Sequence, residues 1–257
     1  MIAGQDWSPL RASLALFVSL ALQVGVNYSN DYSDGVRGTD DSRVGPIRLT
    51  ASGLAKPAAV KRAAFISFFL ASLAGLALAA LSSWWIILIG VASIAAAWRY
   101  TGGKNPYGYK GLGDISVFIF FGLIATMGTY YVQTHELTWE VLFASIPMGS
   151  LSCALLAINN LRDRIEDEKV GKKTLAVRIG DKGSRLYFLA LILSAYIFAF
   201  LSAQLWAAIT LVTLPISLPL IRKVLGGATG GALIPLLALT GKLQILFALA
   251  LAFALSL

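Results

Sequence analysis

The chain is 257 residues long, 57% hydrophobic and only 13% charged, where a soluble domain has roughly 45–50% apolar and about 25% charged residues; a water-soluble globule is excluded. The formal charge of +8 does not point to nucleic acid, which needs a soluble basic surface, but to charge asymmetry across a lipid bilayer. The single cysteine, Cys153, lies inside an apolar run, so it forms no intrachain disulfide and lacks the partners of a zinc site.

In chain order the apolar segments fall near Ala12–Val26, Ala63–Leu81, Trp84–Trp98, Ile115–Val132, Val141–Ile158, Leu186–Leu201, Leu205–Ile221 and Ala232–Leu255. A bilayer crossing takes about 20 apolar residues, so several of these borrow polar flanks. The last run is interrupted by Pro235, Gly241 and Lys242, which predicts two half-helices. The expected fold is an all-α polytopic membrane bundle of about eight transmembrane helices around a central cavity, forming one domain over residues 1–257.

Lys and Arg accumulate in cytoplasmic loops, and here they fall in every second loop. Arg37, Arg43, Arg48, Lys56, Lys61 and Arg62 follow the first segment, and Arg99, Lys104 and Lys110 follow the third. A third group, running from Arg162 to Arg185, follows the fifth, and Arg222 and Lys223 follow the seventh. These loops are expected on the cytoplasmic side of the cell membrane, with both chain ends outside. An external start is unusual for a chain whose first residues lack a signal peptide's basic region.

The acidic residues cluster in two of these loops, Asp31, Asp34, Asp40 and Asp41 in one, and Asp163, Glu166, Asp167 and Glu168 in the other. On a helix Asn27, Asp31 and Asp34 lie on one stripe, as do Asn159, Asp163 and Asp167. Like charges so spaced need a cation, supplied either by the Lys and Arg of the same loops or by a divalent metal. Magnesium suits such a pattern, because it takes oxygen ligands and is commonly held by one or two carboxylates plus substrate phosphates. One acidic cluster is equally well explained by balance with neighbouring bases; two at matching helix ends favour the metal. The repetition also suggests two four-helix halves.

Between the third and fourth segments the chain reads Arg99-Tyr100-Thr101-Gly102-Gly103-Lys104-Asn105-Pro106-Tyr107-Gly108-Tyr109-Lys110-Gly111-Leu112-Gly113. Its glycines allow backbone to approach a ligand, and Lys104 and Lys110 supply point charges for phosphate; a simple glycine-rich turn with cytoplasmic-side lysines is the competing reading. No GxxxxGK[ST] run occurs, which excludes a P-loop. His135, the only histidine, reads as a surface residue on the far side.

Asn30-Asp31-Tyr32-Ser33-Asp34 through Gly38-Thr39-Asp40, with Asp163-Arg164-Ile165-Glu166-Asp167 in the second half, resembles the two aspartate-rich motifs of the UbiA superfamily of intramembrane prenyltransferases. The Tyr100-Thr101-Gly102-Gly103 loop through Asp114, and Asn159–Asp163 through Gly171-Lys172-Lys173-Thr174-Leu175-Ala176-Val177, resemble the branch that prenylates 1,4-dihydroxy-2-naphthoate in menaquinone biosynthesis. The resemblance implies that a polyprenyl diphosphate is ionised with the help of Mg2+ and basic side chains. The naphthoate ring then attacks the allylic cation and loses its carboxylate, giving demethylmenaquinol. By position Asp31, Asp34, Asp163 and Asp167 would bind metal, with Asn27, Asn30 and Asn159 as supporting oxygens. Tyr100 and Lys104 match the family's Tyr and Lys, with Lys104 on the diphosphate, and Arg48, Arg162 and Lys172 are further diphosphate candidates.

The implied cation needs a dry, aromatic-lined cavity, for which Phe118, Phe120, Phe121, Tyr130 and Tyr131 are available, although ordinary packing explains any one of them as well. Members of this family usually have nine spans, beginning with a helix that carries an Arg-Pro start. An upstream helix is therefore expected, and it would return the amino terminus to the cytoplasm. The competing functions are a relative acting on another aromatic acceptor, and a secondary transporter, which would place its ionisable residues near the midplane rather than at one face.

Overall fold

A computed structural model describes residues 7–39 and 45–257 of the chain; Asp40, Asp41 and Arg43 lie outside the described residues. The described residues form helices joined by turns and loops, without strands. We number the main helices α1 (Pro9–Arg37), α2 (Pro57–Leu81), α3 (Ile86–Arg99), α4 (Gly113–Thr134), α5 (Trp139–Lys169), α6 (Leu175–Ala203), α7 (Leu214–Leu225) and α8 (Ile234–Ser256). Among the described residues six helical stretches are long and apolar enough to cross a membrane, and α3 is a shorter apolar helix. Large side chains such as Phe17, Leu20, Phe69, Leu88, Leu249 and Phe253 are exposed, as a lipid-facing perimeter requires, while backbone polar groups are satisfied within the helices.

Two helices are much longer than their apolar runs. Ser8 caps α1, accepting a hydrogen bond from the Arg11 amide, and Pro9 occupies its first turn; the helix stops at Gly38, whose φ of 71° turns the chain out. Its 29 residues rise about 44 Å, more than the roughly 30 Å hydrocarbon core. The 31-residue α5, capped by Thr138, behaves alike. Both continue as helix beyond Val26 and Ile158, and these continuations carry the aspartates.

The first half is built on α1 against α2, with Ala64 and Phe68 buried beneath Val26 and Trp98. The second half has the larger core, in which Leu151, Ile158, Phe188, Ile192, Leu220, Leu243 and Phe247 are buried together. Between them α4 is wound as a π-helix over Phe118–Ile124, at the point where it meets α5. A Cβ on Gly122 would stand 2.4 Å from the Gly149 Cα; the two backbones touch there, and only glycine fits.

The 51-residue stretch Leu175–Leu225 doubles back. Gln204 takes a φ of 49°, and the Tyr196 hydroxyl meets Thr213 at 2.7 Å and Ser217 at 3.0 Å across the resulting hairpin. Nearer its open end Arg185 donates to the carbonyls of Val224 and Ala228, satisfying the end of α7. Gly180, at a φ of 72°, breaks the first turn of α6 from the rest. The last apolar run departs from expectation: α8 is one helix, because Pro235 sits in its first turn, where no amide bond is lost, and Gly241 and Lys242 are carried in regular helix.

Candidate active site

The acidic ends of α1 and α5 lie on the same side of the bundle, and two loops join them. Arg37, at the end of α1, donates to the carbonyls of Thr101 and Gly103. The Lys173 amide donates to the Tyr109 carbonyl at 2.9 Å, and Arg178 reaches the Lys110 carbonyl at 2.8 Å. The glycine-rich loop is thereby held between the first aspartate helix and the turn that follows the second.

Asp34, Asp167 and Lys172 form the junction. The Tyr109 hydroxyl donates to Asp34 Oδ1 at 2.6 Å, and Lys172 Nζ donates to Asp34 Oδ2 at 3.3 Å. The same ammonium stands 3.9 Å from Asp167 Oδ1 and 4.8 Å from the centre of the Tyr109 ring. All three charged residues are buried. Burial and the Asp34 carboxylate push the Tyr109 phenol up, against a smaller opposing pull from Lys172, so it remains a hydrogen-bond donor.

A second ionic group lies on α5. Arg162 grips Asp163 with two bonds, Nε to Oδ1 and Nη2 to Oδ2, each 2.7 Å, and Nη2 also donates to Asn159 Oδ1 at 2.8 Å. The Arg162 side chain is 1% exposed, and among the described residues its buried Nη1 has no hydrogen-bond partner. Glu166 instead pairs with exposed Lys169 at 2.7 Å.

The remaining candidates are more dispersed. Both oxygens of buried Asp31 accept backbone bonds at 2.8 Å, from the amides of Leu49 and Thr50, so this carboxylate anchors the segment carrying half-buried Arg48. Asn30 accepts from Thr101 at 2.9 Å, and Asn27 is exposed on α1. Lys104 is exposed at the loop tip, and among the described residues no hydrogen bond or ion pair holds it. Tyr100 packs edge-on against Tyr107; burial, then the charge of Asp114, push its phenol well up, which makes it a donor rather than a base.

Of the aromatic candidates, Phe121 faces outward, Phe118 packs over Gly149, and Tyr131 accepts from Trp85 Nε1 at 2.9 Å. Two residues of the site are not singled out by the sequence reading. Tyr109 was legible only as a member of the glycine-rich loop. Asp114, buried beside Tyr100, lines a small cavity with Asn160, Ser184 and Tyr187, and its carbonyl accepts from Cys153 Sγ at 3.3 Å.

Among the described residues no three His, Cys, Asp or Glu side chains converge as a ready-made metal cage. The donor set nonetheless suits Mg2+, which needs only one or two carboxylates when phosphate supplies the rest. Asp34 and Asp167 already share one cation, and Asp163 and Asn159 share another.

This helical bundle with two acidic helix ends facing a basic, glycine-rich loop defines an intramembrane enzyme of the prenyl-transfer type, and comparison with known proteins gives its family. Residues 1–227 match the UbiA prenyltransferase family, and the chain belongs to that family. It is 48% identical to the 1,4-dihydroxy-2-naphthoate octaprenyltransferase of Mycobacterium tuberculosis, over 96% of this chain and 85% of the relative. It is 38% identical to the Escherichia coli protein of the same name, over 92% and 80%. Its fold matches the apo structure of a UbiA homolog from Aeropyrum pernix K1, with a TM-score of 0.73 at 15% identity, covering 98% of this chain and 92% of that one. A UbiA homolog from Archaeoglobus fulgidus bound to DMAPP and Mg2+ matches at a TM-score of 0.54 and 17% identity, covering 98% and 90%. The chain is thus a multi-pass membrane prenyltransferase.

Proposed function

We propose that the chain transfers a polyprenyl group from polyprenyl diphosphate to 1,4-dihydroxy-2-naphthoate with loss of the ring carboxylate, giving demethylmenaquinol, at the cytoplasmic face of the cell membrane. The observation that carries this reading is the junction of Asp34 and Asp167 through Lys172, which brings the two acidic helix ends to one point. The relatives named above supply the acceptor class.

Heterolysis of an allylic diphosphate separates charge, so the barrier falls when fixed cations face the leaving oxygens. Mg2+, when bound, supplies neutralisation of that diphosphate. Asp34, Asp167 and Asp163 with Asn159 are the residues we assign to hold it. Asp31 acts one step back, fixing the Arg48 segment through its two amide bonds, and Asn30 fixes the Thr101 loop; Asn27 is the weakest of the ligand candidates. Arg162, Lys172 and Arg48 are assigned to the diphosphate, and exposed Lys104 closes over it from the loop tip. Tyr109, held protonated, donates to Asp34 and orients it, and Tyr100 packs beneath the loop against Tyr107.

The test is direct. Purified chain with Mg2+, a polyprenyl diphosphate and dihydroxynaphthoate should yield the decarboxylated prenyl naphthol by mass spectrometry, and chelation should abolish it reversibly. Prenyl transfer to hydroxybenzoate or homogentisate in preference to the naphthoate would overturn the acceptor assignment.

A further inference from the structure

Lys172 stands where a cation between two carboxylates would stand. Its ammonium is 3.3 Å from Asp34 and 3.9 Å from Asp167, its side chain is 11% exposed, and the Tyr109 ring closes one side at 4.8 Å. Two buried carboxylates from separate halves of the chain would otherwise repel each other, so this internal cation gives the substrate-free site a stable arrangement. It also occupies the carboxylate oxygens that a metal would use.

Resting on the reading above, we propose that Lys172 is a resident counter-ion that makes metal and diphosphate binding interdependent: the diphosphate draws its ammonium off Asp34 and Asp167, and the carboxylates so released take up Mg2+. A diphosphate is the stronger attractor, having more charge and more acceptor oxygens than either carboxylate. Lys172 lies on the short turn between Lys169 and Leu175, and a four-carbon stem lets its ammonium move while the backbone stays held by the Lys173–Tyr109 bond. Without diphosphate, an incoming dication meets an ammonium in its place, so metal alone binds weakly. By reciprocity, the metal strengthens diphosphate binding by the same factor. This ordering keeps the site from holding metal unless a substrate is there to use it.

Arg162 does not duplicate this device. Its two bonds to Asp163 and one to Asn159 all lie within α5, and its planar fork fixes geometry where the lysine leaves its ammonium mobile.

The experiment measures Mn2+ binding to the full chain in nanodiscs by paramagnetic resonance, with and without saturating geranyl thiodiphosphate, for the wild type, Lys172→Met and Lys172→Arg. In the wild type the thiodiphosphate should tighten Mn2+ binding by about ten-fold or more, within the usual span of allosteric coupling. In Lys172→Met, Mn2+ without thiodiphosphate should bind about ten-fold tighter than in the wild type, and the enhancement by thiodiphosphate should shrink. Lys172→Arg should restore weak binding of metal alone. Equal Mn2+ affinity of wild type and Lys172→Met without thiodiphosphate would overturn the counter-ion role while leaving the metal-dependent reaction standing. If Lys172→Met fails to fold, the wild type still decides, since Mn2+ affinity unaffected by thiodiphosphate overturns the coupling. No Mn2+ binding in either condition would instead overturn the metal-dependent function itself.

Discussion

Tyr109→Phe removes one oxygen from the centre of the site and keeps the ring on which Arg37 and Lys172 rest. The lost hydroxyl donates to the charged Asp34 at 2.6 Å and meets Thr39 at 3.3 Å, and a hydrogen bond to a charged group is worth about 1.5–3 kcal/mol. Water at the mouth of the site can replace part of it, which puts the loss near the low end, about 1.5 kcal/mol. Because the bond orients the carboxylate assigned to Mg2+, the loss should appear as a roughly ten-fold higher Mg2+ requirement. The assay is the initial rate of prenyl transfer against Mg2+ concentration. Tyr107→Phe is the control: its hydroxyl bonds the Ala96 carbonyl at 2.9 Å and Ser116 at 2.8 Å, away from the carboxylates. That variant should lose thermal stability without moving the Mg2+ curve. Superimposable Mg2+ curves for Tyr109→Phe and wild type would refute the claim that Tyr109 sets the orientation of Asp34.

Asp34→Asn and Asp163→Asn should each abolish turnover, measured as product formed per hour at saturating Mg2+, with the folded state checked by thermal melting. Lys104→Ala should leave the melting temperature unchanged, since among the described residues no hydrogen bond or ion pair holds the exposed side chain, but lower the catalytic rate by about 10²-fold, the scale of losing one oxyanion donor; Lys110→Ala should cost less. Arg162→Ala removes its two bonds to Asp163 and its bond to Asn159 and should destabilise the chain by at least about 1.5–3 kcal/mol, the worth of one hydrogen bond to a charged group, read as denaturation in mild detergent. The Tyr100 phenol is raised above its ordinary value of 10.0 in the folded chain, so the unfolded chain loses that proton first. Stability should accordingly be unaffected below pH 10 and fall above it, and Tyr100→Phe should show a smaller fall in melting temperature between pH 9 and pH 11.

The composition and the run lengths were sufficient for an all-helical membrane bundle, because apolar surface on this scale leaves the backbone no other way to satisfy itself. Proline at 235 was misleading, since its effect depends on where the helix begins: at the first turn it is neutral, and further in it would break the helix. The aspartate stripes were legible as charges with 3.6-residue periodicity, which places Asp31 and Asp34 together on the buried face of α1. Their division of labour was not, for it depends on partners distant in sequence. Asp31 meets amides 18 and 19 residues on, while Asp34 meets a lysine 138 residues away. Lys172 looked like a minor diphosphate candidate beside Lys104, yet the structure buries the former among the carboxylates and leaves the latter in solvent.

The placement of Lys172 also bears on how the site keeps its shape. α1 packs chiefly on α2, and α5 chiefly on α6, so the two acidic helix ends are not fixed by packing against each other. Among the described residues the pair of loops spans them, through Arg37 on the Thr101 and Gly103 carbonyls, Tyr109 on Asp34, the Lys173 amide on Tyr109, and Lys172 on both aspartates. Rigid helices thus supply the carboxylates, and short loops set the distance between them. A loop can yield by a few tenths of an ångström at little cost, whereas a packed helix interface cannot, which is the property required of a site that exchanges an internal ammonium for a metal and its diphosphate in each catalytic cycle.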